Sequence, residues 1–76
     1  MADLQNRGAV VEIEGTLSRL RGILSARVVR DERGEIQEVH VLADEGRHPK
    51  QISRDIESAL FSEFGIRIDH RKISIA

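Results

Sequence analysis

The chain has 76 residues, a third of them charged, and its 12 basic and 13 acidic residues give a formal net charge of −1. This length allows one domain, and the balanced charge gives no overall field to attract nucleic acid or an anionic membrane. The absence of cysteine excludes a disulfide, a thiolate zinc site and a cysteine nucleophile. No apolar run approaches the ~20 residues of a membrane span. We therefore expect a cytoplasmic protein.

The N-terminal part of the chain predicts a lead-in followed by a helix. Residues 1–8 are polar and unpatterned, and we expect them to be flexible, with a single α+β domain over residues 9–76. Gly22 is the expected end of the helix. A rival prediction makes residues 9–14 a first strand, because valine and isoleucine favour strands. The helix is favoured by apolar residues in steps of three and four: Val10, Ile13, Leu17 and Leu20.

The middle of the chain predicts a β-hairpin. Residues 25–31 and 36–44 are both typical of strands, and the loop between them places Gly34 where a bulged hairpin turn needs a left-handed residue. In the second strand, alternate residues point to opposite faces of the sheet. One face receives Val39, Val41 and Ala43, and the other receives Glu38, His40 and Leu42.

The C-terminal part predicts a helix and a strand. Pro49 suits the first turn of a helix, and Gly65 suits its end. The helix has a full-length apolar stripe: Ile52, Ile56, Ala59, Leu60 and Phe64. The apolar alternation of the last segment changes phase between Ile68 and Ile73. Either this strand is bulged near residues 69–71, or it begins only after His70.

These elements predict an α+β fold, a two-layer sandwich with the order α-β-β-α-β. We expect a three-stranded mixed sheet with both helices on one face. A right-handed crossover through the second helix should bring the last strand back parallel to the second strand, and we expect it to lie beside the first. The alternative is a ferredoxin-like β-α-β-β-α-β fold, with residues 9–14 as its first strand.

The predicted order resembles that of the split βαβ family of small domains, in particular members that lack the first strand. The cytoplasmic domains of cation-efflux transporters and the ring-building domains of secretion and sporulation complexes have this order. The resemblance spans residues 10–76 and lies in the order of elements, without a shared motif, so it implies an architecture and no function. The chain stops at Ala76 without a polar tail, which suggests a domain of a longer protein.

The residues that could support catalysis or metal binding do not form a recognisable motif. No serine has a histidine at a suggestive spacing, so we expect no enzymatic activity and assign no catalytic residue. His40 and His70 could meet across adjacent strands, with Glu38 or Asp69 as a carboxylate partner. A metal-binding regulatory domain is therefore an alternative, although we expect no metal site and no cofactor.

Basic residues near the second helix and the last strand offer another alternative. A helix N-terminus favours negative charge, and basic side chains beside it would strengthen that preference. The candidate residues for a small anion or a nucleic acid are Lys50, Arg67, Arg71 and Lys72. Nucleic acid is the less favoured ligand, because Phe61 and Phe64 are the only aromatic residues available for stacking.

The leading hypothesis concerns the sheet face that the helices leave uncovered. Val28 and Val29 are adjacent, so one of them must point to that face, and Leu42 points there too. Phe61 lies well off the stripe of its helix, about 140° from Ile56. Apolar residues on an uncovered face are typical of an association surface. We therefore predict a non-enzymatic interaction or regulatory module that self-associates as a dimer, through the sheet face or an edge strand. Its interface residues are Val29, His40, Leu42 and Phe61.

Overall fold

A computed structural model describes the backbone of residues 2–76 and the side chains of residues 9–76. The predicted α+β class and the predicted order of elements are confirmed. Residues 9–14 are helical, which removes the alternative with a first strand at that position. The elements are α1 Ala2–Ser18, β1 Ile23–Arg30, β2 Ile36–Ala43, α2 Pro49–Phe64, a 3₁₀ turn at His70–Lys72, and β3 Ile73–Ile75.

The sheet has the strand order β1-β2-β3, with β2 in the centre. β1 is antiparallel to β2, and β3 is parallel to β2, as predicted. The expected position of β3 beside β1 is wrong. α1 packs over β1, so α2 covers the part of the sheet away from β1. The chain that leaves α2 therefore returns on the side of β2 that β1 does not occupy, and β3 pairs there.

The core lies between the sheet and the two helices, all on one face of the sheet. Alternate strand residues such as Val28, Val39 and Val41 are buried against the helices. The helices contribute Ile13, Leu17, Ile52, Ile56 and Leu60, which are at most 1% exposed. Burying each of these side chains stabilises the fold by about 1.5–3 kcal/mol. None of the buried side chains within residues 9–76 is polar or charged.

Helix α1 ends at Ser18, and the prediction that it extends to Gly22 is wrong. The N–H groups of Arg19 and Leu20 bond to oxygens three residues earlier, which tightens the chain into a turn. Gly22 follows with a φ of +86° and leads into β1. Residues 2–8 continue α1 where the sequence predicted no element, and their flexibility stays a prediction.

The hairpin is closed as the sequence predicted. Gly34 has a φ of +85°, and one carboxylate oxygen of Asp31 accepts the backbone N–H groups of Arg33 and Glu35. The pairing skips one residue on each strand, so both strands carry an irregularity near their ends. Between these irregularities the alternation holds: Val28 is buried, and Val29 points away from the helices.

Helix α2 has the predicted bounds, from Pro49 to Phe64. Gly65 adopts a φ of +68°, and its N–H group and that of Ile66 bond back into the last turn of the helix. Of the two alternatives for the last segment, the strand that begins only after His70 is correct. Ile66 and Ile68 still pack against the core, although they lie outside the sheet.

Candidate functional site

The sheet face opposite the helices carries a set of cross-strand pairs. Ser25 lies opposite Leu42, Arg27 opposite His40, and Val29 opposite Glu38, while Ser74 of β3 lies on the other side of His40. These residues alternate with the core residues, so their side chains point away from the helices. We call this surface the open face: Ser25, Arg27, Val29, Glu38, His40, Leu42 and Ser74.

Part of the open face, from Ser25 and Leu42 to Ser74, lines a depression to which all three strands contribute. Leu42 is 49% exposed there, while Val29 is half-buried. The imidazole Nε2 of His40 lies 3.2 Å from a carboxylate oxygen of Glu38, and both side chains are about half exposed. His40 and Ser74 are neighbours across two strands, but no hydrogen bond joins these two described side chains. The surface therefore offers apolar contact and polar side chains, and none of its described residues forms an activated nucleophile.

The two edges of the sheet differ. On β1, the backbone N–H of Val28 donates to a carboxylate oxygen of Glu14 at 2.8 Å, so the side chain of α1 occupies part of this edge. On β3, Ala76 exchanges two backbone hydrogen bonds of 2.9 Å with β2, to Val41 and Ala43. Because alternate residues of a strand bond to opposite sides, the N–H and C=O of Ile75 face the outer edge. The β3 edge is thus the one available for pairing.

Three of the four predicted interface residues lie together, and the fourth does not. Val29, His40 and Leu42 belong to the open face, whereas Phe61 lies on α2 in the opposite layer. The Phe61 ring is 52% exposed, and the guanidinium carbon of Arg67 lies 5.0 Å from its centroid. Its contact is therefore a cation–π interaction on the helix side of the domain.

The predicted anion-binding residues are divided between separate places. Arg67 and Lys72 line one groove, and Arg30, which the sequence did not single out, lines it with them. Lys50 lines another depression, beside Arg54. Arg71 lies in a third place, where it is paired with Asp69.

Arg71 is bound to Asp69, with a guanidinium nitrogen 2.7 Å from a carboxylate oxygen. The same carboxylate accepts the backbone N–H of Arg71 at 2.9 Å and begins the 3₁₀ turn. The side-chain and backbone hydrogen bonds from Arg71 hold the pKa of Asp69 well below its usual range. The Asp69 carboxylate in turn raises the pKa of Arg71. Arg71 is therefore committed to an intramolecular pair.

The N-terminus of α2 has no N–H group left for an anion. Pro49 has no N–H, and the N–H of Lys50 donates to the imidazole Nδ1 of His48 at 3.1 Å. The N–H groups of Gln51 and Ile52 both donate to the backbone oxygen of His48. The first turn is thus satisfied by the chain itself, which removes one part of the argument for an anion site at Lys50.

The histidines considered for a metal site lie in different surroundings. His40 is next to Glu38, His70 has its Nδ1 3.5 Å from a carboxylate oxygen of Asp69, and His48 caps α2. Over the part of the chain that the structure describes, no three histidine or acidic side chains lie close enough to hold a metal ion.

Several contacts that organise these surfaces escaped the sequence analysis. A guanidinium nitrogen of Arg47 lies 2.9 Å from the backbone oxygen of Arg21 and 2.7 Å from a carboxylate oxygen of Asp55. This side chain joins the turn before β1 to α2. His48 had a local signal, because it directly precedes a proline at a helix start, but Glu14 and Arg47 act on residues far away in the sequence.

No helix within residues 2–76 is both long and apolar enough to cross a membrane. No protein family model matches the chain, and no curated protein sequence matches it.

Proposed function

We propose that this domain is a non-enzymatic interaction or regulatory module that self-associates as a dimer, with the open face as its contact surface. The observation that supports this proposal is the exposure of Leu42 on a sheet face that no element within residues 2–76 covers. Leu24, in the irregular start of β1, is also 63% exposed. Burying such side chains against a second copy removes apolar surface from water.

The charges of the open face suit a second copy of the same chain. Arg27 and Glu38 lie diagonally across the ladder between β1 and β2, in successive pairs that face the same side of the sheet. A two-fold axis that lies in the interface, midway between these two residues, places each Arg27 opposite the Glu38 of the other copy. Such self-complementarity is what an interface between identical partners requires. The ion pairs would set the orientation, while the burial of apolar side chains supplies most of the affinity.

The β3 edge offers a second way to form a dimer, different from packing through the open face. The N–H and C=O groups of Ile75 face outward, whereas Glu14 occupies part of the opposite edge. Pairing two β3 strands would join two sheets into one. β3 has only three residues, so this contact would be short, and we favour the open face.

A cytoplasmic location is also part of the proposal, because the chain has no cysteine with which to form a disulfide in an oxidising compartment.

Sedimentation velocity of the wild type and of Leu42→Asp tests the proposal. We expect the wild type to dimerise as its concentration rises, and the variant to remain monomeric with an unchanged far-ultraviolet circular dichroism spectrum. The matched control is Val11→Asp, because Val11 is 66% exposed on α1, in the opposite layer. A wild type that is monomeric at high micromolar concentration contradicts self-association. Equal dissociation by both variants contradicts the open face as the interface.

Two further variants separate the routes. Ile75→Pro removes an N–H that faces the outer edge while the hydrogen bonds of Ala76 to β2 remain. We expect this variant and Phe61→Asp to dimerise like the wild type. A monomeric Ile75→Pro beside a dimeric Leu42→Asp would assign the contact to the β3 edge. Dissociation by Phe61→Asp alone would assign it to the helix layer.

A further inference from the structure

We propose that the groove lined by Arg30, Arg67 and Lys72 binds a phosphate group. This site is separate from the open face, and it differs from the anion site predicted from the sequence. Its lining includes Arg30, which was not a candidate in the sequence analysis. Lys50 is not part of it because it lines another depression, and Arg71 is not part of it because it is paired with Asp69.

The groove exists because β3 is shorter than β2. β3 pairs with residues 39–41 of β2, so the beginning of β2, at Ile36, has no strand beside it on that side. The chain leaving α2 passes through residues 66–68 without joining the sheet, and it forms the opposite wall. The space between has a volume of about 400 Å³, within the range of small-ligand sites.

Three cations from three different elements line this space. Arg30 ends β1, Arg67 follows α2, and Lys72 directly precedes β3. Glu35 is the single acidic residue among the lining side chains. The nearby carboxylate of Asp69 is engaged by Arg71, so it contributes little negative charge to the groove. The lining residues that the structure describes therefore include more basic than acidic side chains, although the whole chain has a net charge of −1.

Arg67 and Lys72 are held in place and retain donors for a ligand. Arg67 is positioned by the ring of Phe61, a contact to the guanidinium plane that leaves the N–H groups at its rim able to donate. The ammonium of Lys72 lies 3.4 Å from the backbone oxygen of Ile36, and this long hydrogen bond uses one of its three protons. Arg30 is half-buried, so water screens its charge less than at an open surface.

A phosphate group fits this set of donors best. Guanidinium groups match phosphate oxygens in pairs, and a dianion uses the excess charge better than a single carboxylate does. Past Arg67 and Ile68 the groove adjoins a depression that contains the exposed ring of Phe61. The Phe61 ring is placed to receive the organic part of a small phosphomonoester, in a depression that Glu57 also lines. The phosphate is thus either inorganic phosphate or the terminus of such an ester.

A titration followed by ¹H–¹⁵N correlation NMR tests the site, with inorganic phosphate and phenyl phosphate as separate probes. Sodium chloride keeps the ionic strength constant. We expect saturable shifts in the millimolar range, confined to the amides of residues 34–36 and 66–72. Tighter binding of phenyl phosphate would identify a phosphomonoester as the ligand class, and equal affinities would identify phosphate itself.

Charge-neutralising variants locate the site. Lys72→Gln and Arg67→Gln should each weaken binding roughly fivefold, because each removes a charge-assisted donor from a partly exposed site. Arg67→Lys should also weaken it, since an ammonium cannot donate in pairs. Lys50→Gln makes the same charge change at the other depression and should have no effect. Shifts that sodium chloride reproduces, or equal weakening by Lys50→Gln and Lys72→Gln, would overturn the proposal.

Discussion

The carboxylate of Glu14 in α1 accepts a hydrogen bond from the backbone N–H of Val28 in β1, at a distance of 2.8 Å. β1 is an edge strand, and Val28 is paired with Val39 on its inner side. An unpaired N–H on an edge invites pairing with another chain, and a carboxylate placed against it blocks that approach. This contact therefore fixes α1 over β1 and makes the two edges of the sheet unequal.

Replacing Glu14 with alanine should destabilise the fold by about 1–2 kcal/mol, because a partly buried N–H loses a charged acceptor. Glu14→Gln keeps an oxygen at the same position and should lose less stability. The control is Glu12→Ala, an exposed residue of the same helix, which we expect to be neutral. Urea unfolding measures all three variants. Equal unfolding midpoints for Glu14→Ala and Glu12→Ala would show that the hydrogen bond contributes nothing to stability.

Gly22→Ala should be the most destabilising of the glycine-to-alanine substitutions within residues 9–76. Gly22 has a φ of +86°, and a Cβ there would lie 2.8 Å from the Cδ of Arg47. Arg47 cannot move away easily, because it is held by Arg21 and Asp55. We expect a loss of about 2–4 kcal/mol from backbone strain and overpacking together.

Gly34→Ala is the matched control for Gly22→Ala. Gly34 has almost the same φ, +85°, but a Cβ there would meet no atom within 4 Å. The stability lost in Gly34→Ala should therefore come from backbone strain alone, about 1–2 kcal/mol. Thermal unfolding of the two variants gives the contribution of the Arg47 contact by difference. Equal losses would contradict the tight packing of the turn before β1 against Arg47.

His48→Ala should destabilise the domain by about 1 kcal/mol, because the N–H of Lys50 loses its side-chain acceptor. His48→Asp supplies a better capping group with negative charge at a helix N-terminus, and should be at least as stable as the wild type. His70→Ala, an exposed histidine outside α2, should change little. Chemical denaturation compares these variants. An aspartate that fails to match histidine would contradict the capping role.

Asp69 should titrate below 3.8, the usual pKa of its carboxyl group, because Arg71 stabilises the charged form. The unfolded chain then binds a proton at higher pH than the folded domain does. The contribution of Asp69 to stability is accordingly complete above the usual pKa and is lost as the pH falls through the folded pKa. NMR titration of the Asp69 carboxyl carbon measures the midpoint.

Two variants check that pH dependence. Arg71→Gln should return the Asp69 midpoint towards its usual value, because the side-chain hydrogen bond from Arg71 is the largest cause of the lowered pKa. Asp69→Asn should make the free energy of unfolding depend less on pH in acid. Near neutral pH, this variant should lose only the contribution of the ion pair between Asp69 and Arg71. An unchanged midpoint in Arg71→Gln would refute the assignment.

The local structure was largely predictable from the sequence. The apolar stripe of α2 with Pro49 and Gly65 at its ends, and Gly34 in the hairpin, were recognised because they act within a few residues. The end of α1 was misjudged, since Leu20 belongs to the apolar stripe although it lies in a turn after the helix. A stripe predicts which side chains are buried better than it predicts where a helix stops.

The candidate surfaces were predictable only in part. Alternation along β2 correctly placed His40 and Leu42 on the face away from the core. Grouping Phe61 with them was a misjudgement, because Phe61 belongs to α2 and the predicted two-layer fold already put that helix on the other side of the sheet. The pattern could not bring Arg30 beside Lys72, because these residues are 42 positions apart and meet only where β3 falls short of β2.

By itself, the sequence determined the elements, their order and which side of each is apolar, because periodicity and the backbone preferences of glycine and proline are local properties. Tertiary structure alone decided that β3 lies beside β2, that Glu14 reaches Val28, and that Arg47 ties the turn before β1 to α2. Those contacts join residues distant along the chain, and they depend on how two helices share one face of a small sheet.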